Sequence, residues 1–218
     1  MSKAPAKPLK PVVYVLDDDD GMRKALVALI GTIGYDAVEF ARPSDFLREF
    51  DSNRPACLLL DVRMPEMSGL DVQRELNKRG AMLPVLLITG HGDVPMAVQA
   101  MKNGALEFLQ KPFRDQELVD GINRALAKDA ENRLILERHA EIQRRQTSLT
   151  PREREVMDLV VMGRLNKQVA SELGTVEKTV KAHRARVMQK LEVASLAELV
   201  RVADKAAIAG SAQRPMPH

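Results

Sequence analysis

Five short apolar runs alternate with helical patterns along the first half of this chain, and the alternation limits its fold more than any other feature. Short continuous apolar runs are typical of strands that are buried on both faces. The runs occupy residues 12–16, 37–40, 57–60, 84–89 and 106–109. The helical patterns occupy residues 22–30, 45–50, 70–79, 94–101 and 118–127. We therefore expect an α/β domain with a flavodoxin-like, doubly wound five-stranded parallel sheet.

The second half contains helical patterns only. Thr150 and Glu153 flank Pro151 in a capping-box sequence, which predicts the start of a helix. Asn166 is expected to cap the next helix. The three later helices are predicted at residues 166–173, 177–191 and 196–208. Four short helices, with a glycine-containing turn between the second and third, predict an all-α helix-turn-helix domain.

Composition divides the chain into five segments. The predicted domains, 11–127 and 148–208, are separated by residues 128–147, which contain no Gly or Pro and are rich in Glu, Arg, Ala and Leu. This stretch predicts a helical linker. Residues 1–10 are rich in Lys, Pro and Ala and are expected to be flexible, and residues 209–218 are expected to form a disordered tail.

Charge and composition restrict the partners and the compartment. Residues 11–127 hold 13 Lys and Arg against 18 Asp and Glu, a net −5, whereas residues 148–208 hold 11 against 8, a net +3. This asymmetry suits a metal or protein partner for the first domain and nucleic acid for the second, although a chance asymmetry stays open. The sequence shows no membrane span or secretion signal, and its single Cys57 can form no internal disulfide. We expect a cytoplasmic protein.

Polar residues follow four of the predicted strands where each one ends. Asp17 and Asp18 follow the first strand, and Asp61 follows the third. Because the carboxyl ends of parallel strands meet at one edge, three carboxylates should converge there and require a cation, best Mg²⁺. Thr89 and Lys111, at the ends of the last two strands, complete a set suited to phosphoryl chemistry with an Asp nucleophile. Taken singly, each residue has an ordinary structural role open to it.

The motifs around these residues resemble a response-regulator receiver domain of the FixJ-like branch, over residues 11–127. They read Val-Leu-Asp-Asp-Asp at 15–19, Leu-Asp-Val-Arg-Met-Pro at 60–65, Thr-Gly-His-Gly at 89–92 and Phe-Leu-Gln-Lys-Pro-Phe at 108–113. The resemblance implies that Asp61 accepts a phosphoryl group from a sensor histidine kinase. It implies that Thr89 and Lys111 contact this group.

The same resemblance implies a metal site and a switch. Asp18, Asp61 and the backbone carbonyl of Arg63 would ligate Mg²⁺, and Asp17 would act mostly through water. Phe108 would be the aromatic switch that turns inward as Thr89 moves, with a partly buried core aromatic as the alternative. The Lys111–Pro112 peptide would be cis.

An enzyme is a competing class of protein. Haloacid-dehalogenase-type phosphatases also use an Asp after a strand together with magnesium, but they require Asp-x-Asp-x-Thr/Val. Counted from Asp17 the fifth position is Gly21, and counted from Asp61 the third is Arg63, so both fail. The sequence contains no Gly-rich nucleotide loop. We expect no enzymatic activity beyond self-phosphorylation and dephosphorylation at Asp61.

Residues 148–208 resemble the LuxR-type, GerE-like DNA-binding domain of NarL/FixJ regulators. The motifs are Leu-Thr-Pro-Arg-Glu-Arg-Glu-Val at 149–156, Asn-Lys-Gln-Val-Ala at 166–170, Lys-Thr-Val-Lys-Ala-His-Arg at 178–184 and Val-Met-Gln-Lys-Leu at 187–191. The resemblance makes the third helix the one that reads bases, with Lys181 in contact and Ala182 and Ala185 permitting close approach. Contacts to the DNA backbone are expected from Thr179, Arg184, Arg186 and Lys167. A solvated surface charge is the alternative for each basic residue alone.

The third helix departs from the family at its start. Family members usually carry Ile-Ser where this chain has Thr175-Val176. Valine cannot cap a helix, and the loss of a serine cap costs about 1 kcal/mol. Capping by Thr175 from one residue earlier stays open.

Together, these features predict a two-domain response regulator that activates transcription when Asp61 is phosphorylated. The expected partners are a sensor histidine kinase, promoter DNA, RNA polymerase and, after phosphorylation, a second copy of the chain, with no membrane involved. Masking of the second domain by the unphosphorylated receiver, through residues 128–147, is a further hypothesis. The alternative is a helical domain that binds protein instead of DNA.

Overall fold

The structure, a computed structural model, describes residues 9–90 and 94–211, and side chains as far as Ala203. The chain divides into two compact units, one ending at Arg133 and the other beginning at Leu134. Most of the predicted flexible start (1–10) and disordered tail (209–218) lies outside the described residues, at 1–8 and 212–218, as does the loop at 91–93. Residues 209–211 are described and belong to the last helix, which therefore extends three residues beyond its predicted end at 208. No helix within the described ranges is long and apolar enough to cross a membrane.

The first unit contains a five-stranded parallel sheet with the strand order β2-β1-β3-β4-β5. The strands are β1 (Val12–Leu16), β2 (Asp36–Phe40), β3 (Ala56–Asp61), β4 (Val85–Thr89) and β5 (Glu107–Gln110). The helices are α1 (Asp20–Thr32), α2 (Pro43–Glu49), α3 (Gly69–Lys78), α4 (Val94–Lys102) and α5 (Asp115–Thr147), which continues past the end of the unit. The predicted doubly wound sheet is confirmed.

Two hydrophobic clusters cover the two faces of the sheet. On one face Leu58 and Leu60 of β3 share a cluster with residues of α2, α3 and α4. On the other face Cys57 and Leu59 share a cluster with residues of α1 and α5. Every residue of β1, β3 and β4 is buried, which explains why these strands are continuous apolar runs and show no alternation.

The second unit is all helical and has its own core. Its helices are α6 (Pro151–Val161), α7 (Asn166–Glu172), α8 (Glu177–Leu191) and α9 (Leu196–Ser211). The core of this unit consists largely of Val156, Val160, Val169, Val180, Val187, Leu191 and Leu199. The capping box predicted at Thr150 and Glu153 is present at the start of α6.

A charged junction connects the start of α6 to the end of α8. The Glu153 carboxylate accepts hydrogen bonds from the Thr150 backbone N–H at 2.9 Å and from Lys190 Nζ at 2.6 Å. Lys190 Nζ also donates to the Ser148 carbonyl at 3.1 Å. The hydrogen bond from Lys190, followed by that from Thr150, lowers the pKa of Glu153 to about 2. The carboxylate therefore stays ionised throughout the physiological pH range.

The prediction that Asn166 caps α7 is wrong. Asn166 is the first helical residue, and Leu165 is the N-cap. The Leu165 N–H donates to the Gln168 side chain at 2.8 Å, so the cap is supplied from within the helix, three residues on. The Asn166 side chain instead accepts a hydrogen bond from Arg184 at 3.4 Å.

The N-terminus of α8 has no side-chain cap. Val176 is the N-cap residue, in an extended conformation, and its side chain is 64% exposed. The structure therefore does not show the alternative cap by Thr175. A serine at position 176 would place a hydroxyl next to helix N–H groups that have no partner within the helix.

We expect Val176→Ser to raise the free energy of unfolding of the second unit by about 1 kcal/mol, because it supplies this missing cap. The measurement is thermal and urea unfolding of the full-length chain. Val176→Ala is the matched control, since it removes the exposed valine without adding a hydroxyl. A serine variant no more stable than the alanine variant would contradict the prediction.

Candidate functional site

The residues predicted at the strand ends lie at the carboxyl edge of the parallel sheet. Asp17 follows β1 directly, Asp61 is the last residue of β3, and Thr89 is the last residue of β4. Lys111 follows β5, and its backbone N–H donates to the Thr89 carbonyl at 2.7 Å. Because all the strands are parallel, the sheet places these four residues at the same edge.

The centre of the site is one ammonium group between two carboxylates. Lys111 Nζ donates to Asp17 Oδ2 at 2.9 Å and to Asp61 Oδ1 at 2.8 Å. Asp17 is 2% exposed and Asp61 is 7% exposed. Two nearly buried negative charges therefore share one positive charge, which is the compensation that burial of carboxylates requires.

Backbone N–H groups hold the other carboxylate oxygens in place. The Asp19 N–H donates to Asp17 Oδ1 at 2.8 Å, and the Arg63 N–H donates to Asp61 Oδ2 at 2.6 Å. Each carboxylate thus has one oxygen fixed by its own loop and the other directed at Lys111.

Burial and pairing act on the two partners in different directions. Burial raises the pKa of Asp61, and this effect outweighs the hydrogen bond to Lys111, which lowers it. For Lys111, burial alone would lower the pKa, but the hydrogen bonds to Asp17 and Asp61 raise it. The lysine therefore stays protonated, and Asp61 is a desolvated carboxylate facing a fixed cation. A carboxylate in this setting is suited to attack an electrophile such as phosphorus.

The other predicted receiver residues have different environments. Thr89 is fully buried, and Phe108 is half-buried against the cluster that contains Leu58 and Leu60. Asp18 is exposed, and so is Arg63. The structure thus brings Asp17 and Asp61 together on Lys111 and leaves Asp18 at the surface beside them.

The donor chemistry at this edge fits a hard divalent cation. Within the described part of the chain, no group of three or more His, Cys, Asp or Glu side chains is arranged to hold a metal ion. Two carboxylate oxygens nevertheless lie within 3 Å of a single cationic nitrogen, that of Lys111. Carboxylate oxygens are the ligands that Mg²⁺ prefers, so Asp17 and Asp61 fit the centre of a magnesium site.

Gly69 is a site residue that the sequence analysis missed. The loop from β3 returns to the strand end, where the Gly69 N–H donates to the Val62 carbonyl at 2.9 Å. A Cβ atom at position 69 would lie 2.3 Å from the Asp61 carbonyl oxygen. Only glycine permits this approach, and the available signal was a glycine directly after Ser68, the N-cap of α3.

The second unit presents α8 as its candidate nucleic-acid interface. Val180, Val187 and Leu191 are buried in the core. Apart from Glu177, the first residue of α8, the exposed residues of this helix are Lys178, Lys181, Ala182, Ala185, Arg186 and Gln189. This surface is basic and has small side chains at its centre, as expected for a helix that enters a DNA groove.

The side chains predicted to contact DNA differ in their exposure and in the interactions they already make. Lys181 is exposed and forms an ion pair with Glu177, at 3.1 Å. Arg184 is half-buried and donates to Asn166, which connects α8 to the first turn of α7. Thr179 is also half-buried, and Lys167 is exposed in the first turn of α7.

In the first unit, the Lys111–Pro112 peptide is cis, as the receiver motif implied.

Gln189 was not predicted as a contact. It is exposed and lies four residues after Ala185 and seven after Ala182, on the same side of α8. This spacing was visible in the sequence. A glutamine can donate and accept hydrogen bonds at a base edge, so the position extends the candidate interface by one turn.

Two family models match the chain, one for each unit. The response regulator receiver domain matches residues 13–123. The luxR family of bacterial regulatory proteins matches residues 147–203. The two matches do not overlap and are separated by residues 124–146.

Known proteins resemble the chain over most of its length. The chain is 46% identical to the response regulator protein TodT of Pseudomonas putida, over 89% of this chain and 86% of TodT. It is 42% identical to the transcriptional regulatory protein FixJ of Azorhizobium caulinodans, over 90% of this chain and 93% of FixJ. Among solved structures, response regulator StyR matches with a TM-score of 0.78 and 45% identity, over 90% of this chain and 99% of StyR.

We expect Gly69→Ala to destabilise the first unit by about 1–3 kcal/mol, because the new methyl group overlaps the Asp61 carbonyl. Thermal unfolding of the full-length chain measures the effect. Gly31→Ala is the control, since a Cβ there meets nothing within 4 Å and alanine favours a helix. Equal stability of the Gly69 variant and the wild type would show that the loop can move away without cost.

Proposed function

The chain belongs to the NarL/FixJ family of two-component response regulators, and we propose that it activates transcription when Asp61 is phosphorylated. The observation that carries this proposal is the ion triad of Asp17, Asp61 and Lys111, in one chain with a basic reading helix. The boundaries we propose are a receiver at residues 11–127 and a DNA-binding domain at 148–208. The helical linker proposed between them spans 128–147.

The proposed chemistry is transfer of a phosphoryl group from a histidine of a sensor kinase to Asp61. A P–N bond of the donor breaks, and a P–O bond to the Asp61 carboxylate forms, giving an acyl phosphate. Lys111 and the Thr89 hydroxyl contact the new phosphoryl oxygens. The Mg²⁺ ligands would be Asp17, Asp18, Asp61 and the Arg63 carbonyl, and the ion, when bound, offsets negative charge on the phosphoryl oxygens.

A cleft beside the triad supports docking of a protein donor. It has a volume of about 380 Å³ and lies between α1 and the segment after β5. Met22, Leu26, Leu29 and Phe113 line it together with Lys111. An apolar surface next to the reactive group suits a kinase that must hold its histidine there during transfer.

The proposed output is a dimer that binds promoter DNA. Phosphorylation would draw Thr89 towards the phosphoryl group and turn Phe108 inward, which changes the neighbouring surface of α4. This helix exposes Val94, Val98 and Met101, an apolar surface suited to a second copy of the chain. The dimer would present two α8 helices to half-sites one or more helical turns apart and recruit RNA polymerase. Before phosphorylation, the receiver would mask the DNA-binding domain.

We expect acetyl phosphate with Mg²⁺ to phosphorylate the wild-type chain and to convert it to a dimer that enriches a two-fold symmetric DNA motif. Asp61→Asn should abolish all three effects, because it removes the nucleophile. Asp45→Asn, in the first turn of α2, is the matched control and should behave as wild type. Phosphate-affinity electrophoresis, size-exclusion chromatography and selection of genomic fragments are the measurements. Enrichment of the same motif by the Asp61 variant would refute phosphorylation gating.

We expect two α8 variants to weaken DNA binding in different ways. Arg186→Ala should lower affinity equally for all sequences and reduce the slope of log K against log salt by about 1, because one phosphate contact is lost. Lys181→Ala should relax sequence preference, with a loss of about 1–3 kcal/mol at the preferred site alone. Lys78→Ala, on α3, is the control. Binding without salt dependence would favour a protein partner for this domain.

A further inference from the structure

A buried carboxylate lies near the end of the first unit, far along α5 from the residues assigned so far. Asp129 is only 4% exposed. Its Oδ2 accepts hydrogen bonds from the Ala56 N–H, at the first residue of β3, at 3.2 Å and from Arg133 Nε at 2.6 Å. Burial of a carboxylate is costly without such partners, so this helix position is held against the sheet.

The Arg133 side chain extends this anchor to the loop before β3. Its guanidinium donates to the Asn53 carbonyl at 2.8 Å, to the Ser52 carbonyl at 3.1 Å and to the Arg54 carbonyl. One side chain thus satisfies three consecutive carbonyls in addition to Asp129. The planar, multiply donating guanidinium is suited to this role, which a lysine could not reproduce.

The loop held by Arg133 is itself anchored to the edge of the sheet. Arg54 forms an ion pair with Asp36, at the start of β2, at 2.7 Å. Arg54 also donates to the Lys10 carbonyl at 3.0 Å, and Lys10 pairs with Asp36 at 2.9 Å. Residues 129–133 are therefore tied to the amino ends of several strands through one connected set of hydrogen bonds.

The environment of α5 changes directly after Arg133. Residues 134–140 are all exposed, including Leu134, Ile135 and Leu136. Within the described part of the chain, their side chains form no hydrogen bond or ion pair with another element. Anchoring resumes in the second unit, where Arg145 pairs with Glu192 at 2.8 Å and Gln146 donates to the Val202 carbonyl at 3.3 Å.

We propose that Asp129 and Arg133 form a clamp that makes residues 128–133 part of the receiver and confines the joint between the two units to residues 134–140. About two turns of exposed helix are marginally stable by themselves, whereas the turns on either side are held by packing or charge. The linker assigned from composition thus divides into three segments: 128–133, which is held to the receiver, the joint at 134–140, and 141–147, which is held in the second unit. This inference concerns how the units are connected and does not depend on phosphorylation.

Hydrogen–deuterium exchange of the full-length chain tests the proposal. In the wild type we expect the amides of 131–133 to exchange at least about tenfold more slowly than those of 138–140. Arg133→Met keeps the aliphatic stem and removes the donors, and Asp129→Asn removes the charge. Each should speed exchange at 131–133 by at least about tenfold, the effect of losing one hydrogen bond to a charged group. Arg138→Met, in the exposed stretch, is the matched control and should change neither group.

The amides of 58–60 in β3 show whether each variant retains a folded receiver. The clamp is wrong if both variants keep β3 protected and leave exchange at 131–133 unchanged. The joint is wrong if the wild type protects 138–140 as strongly as 131–133. If the receiver unfolds in the Arg133→Met variant, the clamp is judged from Asp129→Asn alone, which is the milder change.

Discussion

The sharing of Lys111 by two buried carboxylates is the interaction on which the first unit's chemistry depends. Asp17 follows β1 and Asp61 ends the neighbouring strand β3, and burying two carboxylates to 7% exposure or less is costly without a cation between them. Their proximity follows from the strand order, which places β1 beside β3. The same proximity favours the approach of additional positive charge, because each carboxylate lowers the free energy of a cation near the other.

The sequence predicts the sheet well because burial on both faces leaves a local signal. Continuous apolar runs can be recognised without knowledge of their neighbours, and the structure places β1 at the predicted residues 12–16. The positions of Asp61 and Lys111 at one edge then follow from parallel topology alone. The exposure of Asp18, by contrast, depends on how the chain turns out of β1, and no local pattern encodes that turn.

Contacts between distant segments account for the features that the sequence did not predict. Asp129 and Arg133 are four residues apart on a helix, a spacing that ordinarily indicates an exposed ion pair. Only the approach of the loop at 52–54 turns this pair into a buried anchor. In the same way, Asn166 has the residue type of a cap, but the helix starts one residue earlier than expected, so Leu165 is the N-cap and the Gln168 side chain accepts its N–H. Local sequence patterns identify such residues as candidate ion pairs and caps, but they do not show which distant groups the side chains contact.

Because β3 is fixed at both ends, a structural change at Asp61 is expected to displace α4. β3 is fully buried, is fixed at Asp61 by Lys111 and is fixed at Ala56 by Asp129. The part of α5 within the first unit is held by the buried residues Leu118, Ile122 and Ala125 as well as by the clamp. Within α4, whose nine residues are all described, only Ala100 is buried. Displacing α4 therefore exposes little buried apolar surface, and elements with little buried surface move at a low free-energy cost.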